Sequence, residues 1–269
     1  MTAEPGEPRI VVVAAGSVAA TAADIVVRSL ATAIDARGVA HWATTGGSTP
    51  AAVYRELLRP ERRDLVEWDA VHVWWGDDRY VPRDHPLSNV RAVDEILLHD
   101  GEAEEVVASG PVAGVPIPVE HLHPFRTGES IGAGHDAARC AADLADELAT
   151  VGPPSPGGWP VFDLIFVGIG GDGHLLSVFP GSPAFDADAW AMAIPAPTHI
   201  EPHVERVTMH PAIIGAAREV LVVAMGAGKA AILADILGPT REPRRWPAQV
   251  ARHARATWIL DEEAAASLR

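Results

Sequence analysis

A single cysteine, Cys140, is all the thiol chemistry available to this chain of 269 residues. No intrachain disulfide can form, which fits a reducing cytosol. Cys140 lies in an Ala-rich stretch with helical spacing and reads as a small core residue rather than a nucleophile. Basic residues are also scarce: 21 Lys and Arg stand against 36 Asp and Glu, a net charge of −15. That deficit argues against binding along a nucleic-acid backbone, which needs a surplus of cations. It leaves room for a small anionic substrate, because a few placed cations set the local potential. No apolar run reads as long enough to span a bilayer. The acidic start, MTAEPGEP, has no apolar signal core. A cytoplasmic protein without a membrane or nucleic-acid partner is expected, as a monomer or small homo-oligomer. There is no internal repeat and no low-complexity tract. The usual catalytic signatures are missing too: no G-x-S-x-G elbow, no H-E-x-x-H, no cysteine cluster. His121 and His123 stand two apart in a Pro-rich region without further ligands, so they read as loop histidines, and no metal is expected.

What is present is an alternation of short β-branched runs with helical spacing. Strands are expected at 9–15, 39–44, 68–75, 164–167, 190–194, 205–209, 219–225 and 257–260. Helices are expected from Ser17 to Gly38, after Pro50 through Leu58, after a Ser88 or Asn89 cap through Leu97, over 131–151, over 210–217, from Lys229 to Leu237 and after Asp261. Residues 101–128 and 239–247 read as irregular connections. The pattern implies a three-layer α/β/α fold with a mainly parallel, Rossmann-like sheet. It forms a single domain over residues 1–269, with residues 1–8 flexible. At 48% hydrophobic residues the chain can bury its core without staples.

The stretch from Asp163 to Pro183, DLIFVGIGGDGHLLSVFPGSP, organises the rest. An apolar strand ends in a glycine loop that delivers Asp172 and His174, where open α/β sheets bind ligands. A short helical segment closed by Pro180 is expected after it. Gly168, Gly170 and Gly173 match G-x-G-x-x-G, but a dinucleotide site is rejected. Asp172 would oppose the pyrophosphate, Pro180 stops the helix too soon, and no acid follows at the required distance. Gly228-Lys229 resembles the end of a phosphate loop and fails as well, because residue 230 is Ala and residue 223 is Val. Lys229 remains at a helix N-terminus just after a strand, where an anion is favoured, although a surface lysine fits the same position. Gly46, Gly47, Ser48 and Thr49 follow another strand and lead into a helix. They form a candidate phosphate cradle, weighed against a tight turn with a cap. Asp77-Asp78-Arg79 follows a third strand. Arg79 has the fork to hold a phosphate or carboxylate, and the plain alternative is a solvated charge cluster. Arg206 is a weaker candidate of the same kind. Asp172 is close enough to orient the His174 ring or hold its charge.

Five segments together resemble the 6-phosphogluconolactonase family, within the wider sugar-phosphate isomerase/deaminase-like group. They are TTGGSTP at 44–50, WWGDDRYVPRDHPLSNV at 74–90, the stretch at 163–183, RVTMHPAIIGAAREVLVVAMGAGKAAIL at 206–233 and TWILDEEAA at 257–265. The resemblance implies a single α/β domain that hydrolyses 6-phosphogluconolactone to 6-phosphogluconate, the second step of the oxidative pentose phosphate pathway, without an organic cofactor. It implies His174 as general base with Asp172 beside it. It places substrate and phosphate contacts on Gly46 to Thr49, Asp77, Arg79, Gly170, Gly171, Arg206 and Lys229. The sequence departs from the family pattern at Leu175-Leu176, where Thr-Ala is usual, at Gly171, often Pro, and at Val90, often aromatic. The leucines bear on substrate range. Glucosamine-6-phosphate deaminase is one rival reading. That family carries a catalytic Glu five residues past the His, where this chain has Phe179. A non-catalytic sugar-phosphate sensor is the other.

Overall fold

Residues 6–98 and 114–268 are described in a computed structural model of the chain. Residues 1–5 of the tail expected to be flexible, and 99–113, which include much of the expected irregular connection, lie outside the described residues. In chain order the elements are β1 (Arg9–Val13), α1 (Val18–Arg37), β2 (Ala40–Thr44), α2 (Ser48–Leu57), α3 (Pro60–Arg63), β3 (Val71–Trp75) and β4 (Asp77–Arg79). Then come β5 (Leu122–His123), α4 (Thr127–Gly132), α5 (Ala137–Val151), β6 (Leu164–Gly168), β7 (Ala191–Ile194) and β8 (Arg206–Met209). The chain ends with α6 (Ala212–Ala216), β9 (Glu219–Ala224), α7 (Ala230–Leu237) and β10 (Ala256–Asp261).

Among the described residues, seven strands form one sheet in the order β1-β10-β9-β6-β2-β3-β5, with every neighbouring pair parallel. A parallel sheet covered on both faces needs apolar residues at nearly every strand position. β10 is accordingly buried throughout, and β9 is buried from Val220 onward. Trp42, Trp74, Trp75 and Trp258 are fully buried. From β2 the chain steps outward through β3 to β5, then returns to β6 and steps the other way through β9 and β10. The order therefore reverses between β2 and β6. These two strands pair only at Trp42↔Leu164 and Ala43↔Ile165, whereas β6 pairs with β9 over five residues. They part toward their carboxyl ends, and a crevice at such a switch point is the expected ligand site of an open α/β sheet.

α1 is long and apolar enough, with its preceding turn (15–37), to cross a bilayer by length and composition. This corrects the expectation that no segment has that character. Its Val18, Ala22, Val26, Leu30 and Ala33 are buried in the core, so its apolar side is used in packing. Cys140 is buried on α5, as a core thiol should be, and burial pushes it up to about 12.

Several local expectations are corrected. Residues 68–70 form a 3-10 turn before β3, and the single helix expected over 131–151 is broken into α4 and α5, with Asp136 capping the second. No helix follows His174. Leu175 instead bridges Val178, and Leu176 between them adopts a left-handed φ of 52°. Residues 262–267 form turns rather than a terminal helix, although Asp261 Oδ1 accepts from Ala264 N at 2.8 Å as a cap would. His121 and His123 are not in an irregular loop, because His123 belongs to edge strand β5. Their rings stack with His72 and His41 at the amino ends of β3 and β2, far along the strands from the crevice, with His72–His121 centroids at 3.8 Å. Glu147 anchors the group through His123 Nδ1 at 2.6 Å.

The expected loop Asp77-Asp78-Arg79 is strand β4 of a second, antiparallel sheet, β4-β8-β7. This sheet continues from the end of β3 and places Arg79 opposite Arg206.

Candidate active site

The crevice is a cavity of about 420 Å³ walled by the carboxyl ends of β6 and β9, the loops after β2 and β6, and the small sheet. Nine of its lining residues are Gly46, Gly47, Ser48, Thr49, Asp77, Arg79, His174, Arg206 and Lys229, all expected from the sequence.

Gly47 is the N-cap of α2 at φ 107°, a conformation that favours glycine. Among the described residues no side chain caps this helix, so the first-turn N–H groups of Ser48 and Thr49 are available beside the cavity. Helix N-termini of this kind favour anions.

His174 Nδ1 lies 2.5 Å from Asp172 Oδ1, and the His174 backbone N–H donates to the same oxygen at 3.1 Å. A carboxylate partner fixes the proton on Nδ1 and leaves Nε2 as the basic nitrogen of a ring that lines the cavity. Burial alone would raise the Asp172 carboxyl. The hydrogen bonds and charge of His174, with a further bond from His199, outweigh it and hold the carboxyl well below the usual range. Gly170 permits this arrangement by close approach. A Cβ there would fall 2.0 Å from His174 Nδ1 and 2.7 Å from Asp172 Oδ1. Gly170 N–H also donates to the His174 carbonyl at 2.8 Å. Phe179 is buried, with its ring centroid 4.8 Å from that of His174. An apolar ring therefore packs there, with no second acid in that slot.

Three cations line the same space. Lys229 Nζ donates to the Ile169 carbonyl at 2.8 Å, and burial lowers its pKa while the charge of Asp172 works to raise it. Arg79 is clamped by its Nη1, which donates to the Leu87 carbonyl at 2.9 Å and to Asn89 Oδ1 at 2.8 Å. Arg206 is 5% exposed and donates to the Pro202 carbonyl at 3.0 Å. The Nε–H groups of Arg79 and Arg206 are both buried without a partner among the described residues. Burial and, next, the charge of Arg79 lower the Arg206 pKa.

Asp77 reaches the cavity wall with both oxygens engaged, Oδ2 by Ser177 Oγ at 2.7 Å and Oδ1 by Asn89 Nδ2 at 3.3 Å. Asp78 points away and is fully buried. Burial pushes it up to about 7, against hydrogen bonds from the Asn89 and Arg79 backbones.

Among the expected site residues, Asp172 and Gly170 stand behind His174 rather than on the wall. Gly171 is exposed and away from the cavity lining. Three further residues in or beside the cavity were not among the expected contacts. Asn89, read as a helix cap, instead braces Arg79 and Asp77. Leu176 lines the cavity from its left-handed turn. His199 bonds Asp172 Oδ2 at 2.9 Å. Only Leu176 carried a signal, as a departure from the family pattern. Among the described residues no group of three or more His, Cys, Asp or Glu is arranged to hold a metal ion.

Residues 14–259 match the family described as glucosamine-6-phosphate isomerases/6-phosphogluconolactonase. A 6-phosphogluconolactonase of Synechocystis sp. is 33% identical over 238 residues, 88% of either chain. One from Mycobacterium tuberculosis is 32% identical over 252 residues, 93% of either chain. Among solved structures, the 6-phosphogluconolactonase of Trypanosoma brucei superposes with a TM-score of 0.80 at 30% identity, covering 98% of this chain and 100% of that one.

Proposed function

This chain belongs to the glucosamine-6-phosphate isomerase/6-phosphogluconolactonase family, and we propose that its cavity hydrolyses 6-phosphogluconolactone to 6-phosphogluconate. One observation carries the reading. A carboxylate holds one nitrogen of His174 while the ring lines a cavity that also presents Arg79, Arg206, Lys229 and the N-terminus of α2.

A lactone is an activated ester and needs no enzyme nucleophile. His174 Nε2 takes a proton from water as the water oxygen attacks the lactone carbonyl, an assistance worth roughly 10²–10⁴-fold. Asp172 balances the imidazolium that forms. Negative charge develops on the carbonyl oxygen and is stabilised by Arg79, which is already fixed by its Leu87 carbonyl and Asn89 amide partners. When the intermediate collapses, the ring C–O bond breaks and His174 returns the proton to the departing ring oxygen. The new carboxylic acid then ionises and releases one proton to water. The substrate phosphate takes the α2 N-terminus and the remaining cationic wall. Binding energy from this non-reacting end holds the carbonyl in place. The reaction uses no cofactor, and the single cysteine suits a cytoplasmic setting.

Phe179 argues against the deaminase reading, because that chemistry needs a second acid close to the imidazole and an apolar ring packs there. The test is a spectroscopic lactonase assay on freshly generated 6-phosphogluconolactone, read against the spontaneous rate. A rate well above background is expected. Ammonia release from glucosamine 6-phosphate, or tight binding of 6-phosphogluconate with no hydrolysis above background, would overturn the proposal.

A further inference from the structure

Asp172 has two partners. Its Oδ1 holds His174, and its Oδ2 lies 2.9 Å from Nε2 of His199. His199 belongs to the Pro-rich segment between β7 and β8, and its side chain is half exposed. Its ring meets the Phe179 ring edge-to-face, with centroids 5.6 Å apart and an interplanar angle of 88°. Phe179 in turn packs on His174. His199 therefore reaches the catalytic imidazole by two routes, through Asp172 and through Phe179, without lining the cavity.

We propose that His199 is a positioning residue for His174, acting through Asp172. This rests on the lactonase reading for its consequence but not for its geometry. A carboxylate held by one oxygen can rock about its terminal torsion, where the rotamer wells are broad. Held by both oxygens, it fixes the plane in which His174 Nδ1 must lie, and so the direction of Nε2. The second bond also draws negative charge away from Oδ1. Among the described residues, the charged and titratable groups acting on Asp172 are His174, His199 and Lys229. Removing His199 leaves Asp172 a stronger partner for the His174 imidazolium, whether His199 was charged or a neutral donor. The acid limb of the pH profile then moves up.

The experiment compares wild type, His199→Ala and His199→Gln. Gln retains an N–H donor at about the reach of Nε2. His199→Ala should lower kcat by roughly 3–10-fold, the scale of one net hydrogen bond. KM should stay within twofold, and the acid limb of kcat/KM should rise by about 0.5 pH unit. His199→Gln should recover most of kcat. An unchanged kcat and acid limb in His199→Ala would overturn the proposal, as would a raised KM with an unmoved limb, which marks a purely structural contact. NMR titration of the His174 ring gives the same comparison without turnover. If no lactone is hydrolysed, the functional reading fails alone. A His174 titration identical in wild type and His199→Ala removes the positioning role.

Discussion

Arg79 and Arg206 face each other in register across the β4–β8 pair, each with a buried Nε–H that has no partner among the described residues. Like charges directly opposite on a ladder destabilise it. An anion in the cavity offsets that cost, and the two unspent donors are available to receive it. Arg206 is buried with no ion-pair partner among the described residues, and a buried charge without one is costly, so an apolar side chain of similar volume removes that cost together with the repulsion. Arg206→Met should therefore melt no lower than wild type without ligand. It should raise KM for the lactone about 10–100-fold, as loss of a charged hydrogen bond implies. The gain in Tm that inorganic phosphate gives wild type should largely disappear. Equal phosphate-dependent gains in both proteins would remove Arg206 from anion binding.

Lys229 reaches the cavity from the turn before α7, with Nζ held by the Ile169 carbonyl. The binding role proposed for it predicts a split in the kinetics. Lys229→Ala should raise KM roughly 10–100-fold while kcat changes by only a few-fold, because the interaction is the same in ground and transition states. A loss confined to kcat would place Lys229 at the reacting carbonyl instead.

Gly170 is tested by the smallest possible change. A methyl group there must displace the His174 ring or Asp172, since it would lie 2.0 Å from the ring nitrogen. Misplacement of a catalytic group by an ångström can cost about 10²-fold. Gly170→Ala should lose kcat on that order while its urea unfolding midpoint stays close to wild type. Wild-type kcat in this variant would show that the loop does not fix the imidazole.

The stacked histidines at the far end of the strands should make the fold sensitive to acid. Burial, then the neighbouring imidazoles, lower His41 to about 4 and His72 to about 3 from an ordinary 6.5. A histidine whose folded pKa is depressed takes up its proton in the unfolded chain first. The stability it contributes is present above 6.5 and is lost as pH falls from there toward 4 and 3. The urea midpoint should drop between pH 7 and pH 5 more steeply in wild type than in His72→Gln. Parallel slopes would show that the cluster is not the acid-sensitive element.

Much of the candidate site was legible because its signals are local. A strand ending in glycines, a proline in a first helical turn, and Asp172 two residues before His174 are visible in a few residues of sequence. What was not legible depends on distant pairing. Asp77 to Arg79 look like a charged loop. They form a strand only because β8, from much later in the chain, lies alongside, and that pairing alone brings Arg79 to Arg206. Ser88 and Asn89 have the composition of a helix cap. Tertiary partners take them instead: Ser88 Oγ donates to Asp78 and Asn89 braces Arg79. The leucines after His174 have helical character by propensity, but the next residue, Ser177, bonds Thr208 and Asp77 of the small sheet, and Leu176 is left-handed beside it. His199 stands in a segment with no periodicity, so nothing nearby marks it as a neighbour of Asp172.

In the proposed mechanism His174 Nε2 activates water at a lactone whose phosphate is held elsewhere in the cavity. His174→Ala, assayed on fresh 6-phosphogluconolactone with the spontaneous rate subtracted, tests it most directly, alongside the affinity for 6-phosphogluconate. The expected result is a fall in kcat of about 10²–10⁴-fold, with affinity for 6-phosphogluconate within a few-fold of wild type. Turnover equal to wild type would contradict it.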